Sequence, residues 1–294
     1  MSSRTTSPIF RSASTNAHVA PTFPAPITVT FLATLVMSLR RRYRSYTLWT
    51  SACDNQSDYW AAMLAVIMDQ RNGALLALLL VGFVPTLSIV FTIKINDNEL
   101  ISQVFFIACK LWILVFPTYW YLRIEGNHFS WSSSTSEGLI FGAITGIVMS
   151  AIIVVMWILF GDTIDTESMI TEMESTGLTN YKIYILGMMY WIFLNSLLEE
   201  YVFRWFITVK GIEIFGSEVK GIALSASMFT LHHSIALHLF GFIWWQTVVA
   251  SVGLLSAAAI WSWLYVRFKS IWVCWLSHAI CDVAVFGIGY MIIF

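Results

Sequence analysis

Residues Gly138–Phe160 read GLIFGAITGIVMSAIIVVMWILF, without a single charged side chain. A helix rises about 1.5 Å per residue, and about 20 apolar residues cross the roughly 30 Å of a bilayer's hydrocarbon. This run is long enough to span, and it is not isolated. Working outward, comparable runs lie at Gly73–Ile93, Leu100–Leu122, Tyr184–Thr208, Val219–Phe240, Ile243–Val266 and Ser270–Phe294. The sequence therefore predicts an all-α, multi-pass transmembrane bundle of about seven spans. The join at Phe240–Gly241 is nearly apolar and requires a tight turn.

Composition agrees. Of 294 residues, 58% are hydrophobic and 11% charged, against about a quarter charged in soluble domains. The 14 Trp and 21 Phe suit helices that meet lipid and its interfaces. A net charge of −1 gives no basis for a nucleic-acid partner. Cys53, Cys109, Cys274 and Cys281 lack CxxC spacing and read as ordinary thiols. No GxGxxG, P-loop or internal repeat is present.

Basic residues near span ends fall on one side of this topology: Arg40, Arg41, Arg42, Arg44, Arg71, Arg123, Lys210, Lys220, Arg267 and Lys269. The other side has Lys94 and Lys182, and its largest loop is acidic (Asp162, Asp165, Glu167, Glu172, Glu174). The positive-inside rule then predicts a cytoplasmic N-terminal part and a C-terminus across the membrane. Residues 1–59 form a polar, basic tail whose first 53 residues lack Asp and Glu. It reads either as a targeting segment or as a disordered cytoplasmic tail. Within it, Ile27–Leu39, followed by Arg40–Arg44, fits an interfacial helix, with a short eighth span as the alternative. N-terminal spans are expected over 60–182 and a catalytic core over 183–294.

Ionisable residues inside spans are costly, so each needs a reason. The fourth span carries Glu199, Glu200 and Arg204, the fifth Phe229 and His233, and the seventh His278 and Asp282. Glu200 and Arg204, Phe229 and His233, and His278 and Asp282 each stand four apart and share a face. From the cytoplasmic ends, Glu199 lies roughly 13 Å deep, His278 roughly 12 Å and His233 roughly 20 Å. These depths let three helices bring Glu, His and His to one buried pocket.

Simpler readings apply to several of these residues. Glu200 precedes Arg204 by four, the favourable order for a helix ion pair, and is expected to brace the helix. Glu199 points about 100° away, so one arginine does not serve both carboxylates. His232 is expected to face elsewhere and His238 to be interfacial. His278 with Asp282 reads equally as a hydrogen-bonded pair locking two helices. Phe229 reads as packing. Lys110, alone in the second span, either snorkels or meets an acidic partner.

EExxxR, FxxxH and HxxxN/D, in this order on successive late helices, resemble the three motifs of the CAAX protease and bacteriocin-processing (CPBP, or ABI) family. Type II CAAX prenyl-protein endopeptidases belong to it. The resemblance covers roughly Tyr184–Tyr290. It implies an intramembrane glutamate-type endopeptidase requiring no metal or other cofactor. Glu199 would be the general base that activates water, aided by His233. His278 and Asp282 would polarise the scissile carbonyl and stabilise its oxyanion, an interaction worth about 3 kcal/mol per donor. Glu200 and Arg204, with Phe229, would support the site.

The chain departs from the prenyl-protease form at Asp282, where that branch typically has Asn. An amide donates to an oxyanion, whereas an ionised carboxylate only accepts. Either Asp282 is protonated, or it orients His278 and leaves the donor role to that ring. The expected partners are the lipid bilayer and a protein or peptide substrate. A prenylated C-terminus, a leader peptide and a transmembrane segment all remain open. Two other readings compete: a non-proteolytic scaffold or bacteriocin-immunity protein using the same pocket, and a metal-dependent hydrolase whose ligands come from the two Glu, two His and Asp. The absence of HExxH and the divergence of Glu199 from Glu200 count against the metal. A transporter is a weaker option, because repeated halves and paired Gly/Pro-broken spans are missing.

Overall fold

The computed structural model describes the backbone of residues 56–96, 98–175 and 177–294, and their side chains except at 56–68, 168, 172 and 175. The basic tail, Ile27–Leu39 and Cys53 lie outside the described residues. Seven helices are long and apolar enough to cross a membrane, and no strand occurs among the described residues. They are α1 (Asp69–Ile95, continuing a helix that begins at Gln56), α2 (Glu99–Ile124), α3 (Ser136–Thr163), α5 (Tyr181–Phe215), α6 (Glu218–Leu239), α7 (Trp244–Phe268) and α8 (Ile271–Ile293). The short α4 (Thr166–Ser175) lies in the acidic loop, where the sequence pattern indicated no element.

Local chemistry sets the boundaries. Asn98, Thr135 and Asn180 cap α2, α3 and α5 by accepting backbone N–H bonds, which satisfies donors left free at each helix start. Gly216 closes α5 in the left-handed region (φ 62°), and Ser217 then caps α6. Gly241 (φ 91°) makes the tight turn expected between the fifth and sixth spans. The fourth span runs past the expected Thr208 to Phe215. Lys210, which reads as a charge at the membrane edge, is buried and pairs with Glu125 at 2.5 Å and Glu213 at 2.8 Å. With its charge matched, the helix continues through it. The Glu125 pair also ties the exit of α2 to that end of α5.

The opening stretch shows how the bundle is held. Gly138, Gly142 and Gly146 recur every four residues on α3 and are buried against α8. A Cβ at Gly142 would lie 2.5 Å from the Val273 carbonyl oxygen, and one at Gly146 would lie 2.8 Å from that of Ser277. Lipid tails are as apolar as side chains, so close backbone approach drives association here. Thr145 and Ser277 share a hydroxyl contact at 3.0 Å, and Ser150 donates to the Ile280 carbonyl at 2.9 Å. The opposite face of α3, with Ile140, Ile144, Ile147 and Ile158, is exposed, as a lipid-facing surface requires. On the other flank, the Tyr201 hydroxyl of α5 donates to the Leu114 carbonyl of α2 at 2.8 Å. This contact brings α2 beside the helix that carries the paired glutamates.

Candidate active site

The α5 helix is not uniform around Glu199. Wide π-helical turns at Tyr190–Asn195 and Glu200–Thr208 flank the short α-helical segment Ser196–Glu199. Such turns alter which side chains share a face and are frequent at functional sites.

Glu200, fully buried, accepts from Arg204 Nε through Oε2 at 3.0 Å and pairs with His278 Nδ1 through Oε1 at 2.9 Å. An ionised carboxylate only accepts, so Nδ1 carries the proton. The expected ion pair with Arg204 is present. Glu200 also orients His278 and thereby joins α5 to α8. Arg204 is also fully buried. Its Nη1 reaches Ser262 Oγ at 3.5 Å, and its guanidinium lies 4.7 Å from the centre of the Phe229 ring. Nη2 has no hydrogen-bond partner. The aromatic faces of Phe229, Phe203 and Trp261 around the guanidinium give the cation an alternative stabilisation.

Glu199 faces a different set of groups. Its Oε1 accepts from Asn195 Nδ2 at 2.8 Å, and its Oε2 lies 3.8 Å from His278 Nε2. Asp282 Oδ1 lies 3.6 Å from the same nitrogen. Asp282 thus stands on the cavity side of the imidazole, while the orienting bond comes from Glu200 on the opposite side. His278 and Asp282 therefore stand within ion-pair range, at a separation too long for a direct hydrogen bond. His233 Nδ1 is 3.0 Å from the Phe229 carbonyl; that oxygen only accepts, so the ring donates there. In neutral His233 this leaves Nε2 with a free lone pair.

His232 departs from expectation. A side-chain donor atom of each of Glu199, His232 and His233 lies within 4.8 Å of the others. The His232 ring stacks on Phe203 of α5 with centroids 5.3 Å apart and sits 4.0 Å from the ring of His233. Burial against that flat face outweighs the angular offset between neighbouring helix positions. The Phe229 ring meets Phe203, His233, Trp261 and His278 and so packs between α5, α6, α7 and α8.

Asn195 and Trp261 were missed, and Lys110 meets a neutral amide where snorkelling or an acidic partner was expected. Asn195 stands four before Glu199, so the one-turn rule that found the other pairs also reaches it. Lys110 donates to Asn195 Oδ1 at 2.6 Å; its partner in α2–α5 packing had no local signal. Trp261 stacks on His278 with centroids 4.1 Å apart and donates to Ser277 Oγ at 3.0 Å. Nothing in the sequence distinguishes it from the other tryptophans.

These groups open onto a cavity of about 700 Å³. Glu199, His233, His278 and Asp282 contribute polar atoms, and Met156, Trp157 and Leu254 are among its mainly apolar walls. A second cavity of about 290 Å³ shares Ile153, Trp157, Trp191 and Phe286 with it. Cys109, Cys274 and Cys281 are free thiols.

The protein is thus polytopic and helical, with carboxylates and imidazoles gathered at an apolar cavity among its spans. Residues 181–284 match the family model described as Rce1-like, type II CAAX prenyl endopeptidase Rce1-like. The matched residues carry all three motifs, and the match supports their resemblance to the CAAX protease and bacteriocin-processing family. No curated protein and no solved structure matches the chain.

Proposed function

We propose that this protein is an intramembrane endopeptidase in which Glu199 activates the attacking water. The observation that carries the reading is the meeting of Glu199, His233 and His278, from three different helices, at the rim of one cavity. With Oε1 occupied by Asn195, Glu199 Oε2 is the oxygen left to take a water proton. The free lone pair of neutral His233 accepts the second water hydrogen, so the water is aligned by two acceptors. Hydroxide-like oxygen attacks the scissile carbonyl carbon as the proton passes to Glu199, and the C=O pair moves to oxygen. The resulting oxyanion is stabilised from the α8 side. His278 donates through Nε2 when its ring carries both protons, with Nδ1 already anchored on Glu200; protonated Asp282 would add a second donor. Collapse of the intermediate breaks the C–N bond, and Glu199 returns its proton to the leaving amine.

The apolar walls and volume suit a hydrophobic segment, within the roughly 300–1,000 Å³ typical of ligand pockets. Among the open substrates, the family match favours a CAAX-type C-terminus bearing a lipid. The charge asymmetry of the loops supports a cytoplasmic N-terminal side, with the substrate approaching from there. The test is cleavage of a farnesylated peptide ending in a CAAX tetrapeptide by the purified protein in proteoliposomes. Cleavage by wild type and none by Glu199→Gln is the expected result; equal cleavage by both refutes the mechanism.

One observation favours a second reading. The clustering of donor atoms of Glu199, His232 and His233 within 4.8 Å is compatible with a divalent cation of the zinc type. In that case Glu199 would be a ligand rather than the base.

A further inference from the structure

We propose that Lys110 and Asn195 form a positioning pair that holds Glu199 in its reactive orientation, making a helix outside the family-matched segment part of the active-site apparatus. The proposal rests on the endopeptidase reading above. Lys110 lies on α2, well before the matched residues 181–284. Its Nζ donates to Asn195 Oδ1 at 2.6 Å, and Asn195 Nδ2 donates to Glu199 Oε1 at 2.8 Å. Asn195 and Glu199 line the large cavity; Lys110 stands behind the amide, held by the α2–α5 contact at Tyr201.

The direction of this chain follows from the groups themselves. A lysine ammonium has three donors and no acceptor, so only the oxygen of the Asn195 amide can face it. The NH2 group is then forced toward Glu199, whose carboxylate can only accept. Without Lys110 the amide is free to turn over and present its oxygen to the carboxylate, which repels it. The pair thereby dictates which Glu199 oxygen is occupied and which faces His278 and the cavity. The half-buried cation adds a charge-assisted bond to the amide on the side away from substrate. Neither residue touches the reacting atoms, so both act through Glu199.

The test uses the full-length protein in proteoliposomes and a fluorogenic farnesylated CAAX peptide. Lys110→Met lowers kcat on the order of tenfold to a hundredfold, as misplacement of a reacting group does, while KM stays within about twofold. Lys110→Arg, also donor-only, restores kcat to within a few-fold of wild type. Asn195→Leu gives a similar loss, and the double variant Lys110→Met/Asn195→Leu is no slower than the slower single variant. Wild-type kcat in Lys110→Met, a loss carried by KM alone, or multiplied losses in the double variant would overturn the proposal. If wild type leaves the peptide uncut, the endopeptidase reading on this substrate fails, and melting decides the positioning separately. The melting-temperature shifts of Lys110→Met and Glu199→Leu are non-additive if the chain of bonds couples them. Additive shifts sink it.

Discussion

Glu200 Oε1 and His278 Nδ1 meet at 2.9 Å, joining the fourth membrane span to the seventh, while Glu200 Oε2 holds Arg204 at 3.0 Å. One fully buried carboxylate therefore links the cation of its own helix to the imidazole of another. Exchange of Glu200 for Gln and its truncation alike leave a buried guanidinium without its anion.

Truncating the brace therefore acts on stability before chemistry. Glu200→Ala and Arg204→Ala are each expected to destabilise the protein by about 3–5 kcal/mol, the usual result of leaving one buried charge unpaired. Replacing both with apolar residues of similar volume is expected to be less damaging than either alone. Thermal unfolding in a single detergent measures all three.

Glu199 is predicted to behave in the opposite way. Glu199→Gln preserves shape and can still accept from Asn195 Nδ2, so melting stays near wild type. Cleavage falls by about 10²–10⁴-fold, the range of a lost general base. Full cleavage would refute Glu199 as the base, and a fully retained cellular phenotype in Glu199→Ala would support the scaffold reading.

Asp282 sits 3.6 Å from His278 Nε2 on the cavity side, where a donor helps and an ionised acceptor does not. Asp282→Asn is expected to retain at least wild-type kcat, because the amide supplies an N–H in the same volume. Asp282→Leu is expected to lose about 10²–10³-fold, as for a removed oxyanion donor. If Asn and Leu are equally impaired, Asp282 acts as a carboxylate acceptor.

Metal dependence separates the two hydrolytic readings directly. Cleavage by protein stripped with a chelator, with residual zinc measured in the same sample, is expected to match the untreated enzyme. Loss on stripping that is restored stoichiometrically by zinc would favour Glu199, His232 and His233 as ligands.

The glycine seam gives a purely structural prediction. Gly142→Ala puts a methyl group 2.5 Å from the Val273 carbonyl oxygen, and backbone cannot yield as a side-chain tip does. A destabilisation of about 1–3 kcal/mol is expected, as for overpacking generally. Gly253→Ala, with open space at its Cβ, is the control and leaves melting unchanged.

Much of this protein was legible from its chain alone, because bilayer thickness imposes a length on every span and the cost of buried charge singles out its exceptions. Runs such as Gly138–Phe160 identified the seven crossings; one-turn spacing selected His233, His278 and Asp282, and the pairing of Glu200 with Arg204 left Glu199 as the carboxylate needing a reason. The same rules bounded the fourth span poorly, since Lys210 loses its meaning as an edge marker once Glu125 neutralises it from another helix. Partnership across helices was the part that only tertiary structure decided. Spacing proposed His278 with Asp282 and turned His232 away, yet the packing of α5, α6 and α8 gave the His278 Nδ1 bond to Glu200 and brought His232 beside Glu199. Lys110 had no assignable role until α2 came to rest against α5 and Asn195 stood between it and Glu199. Periodicity along one helix records which residues share a face. Which groups on other helices that face will meet depends on rotation and crossing in the assembled bundle, and those are set by contacts distant in sequence.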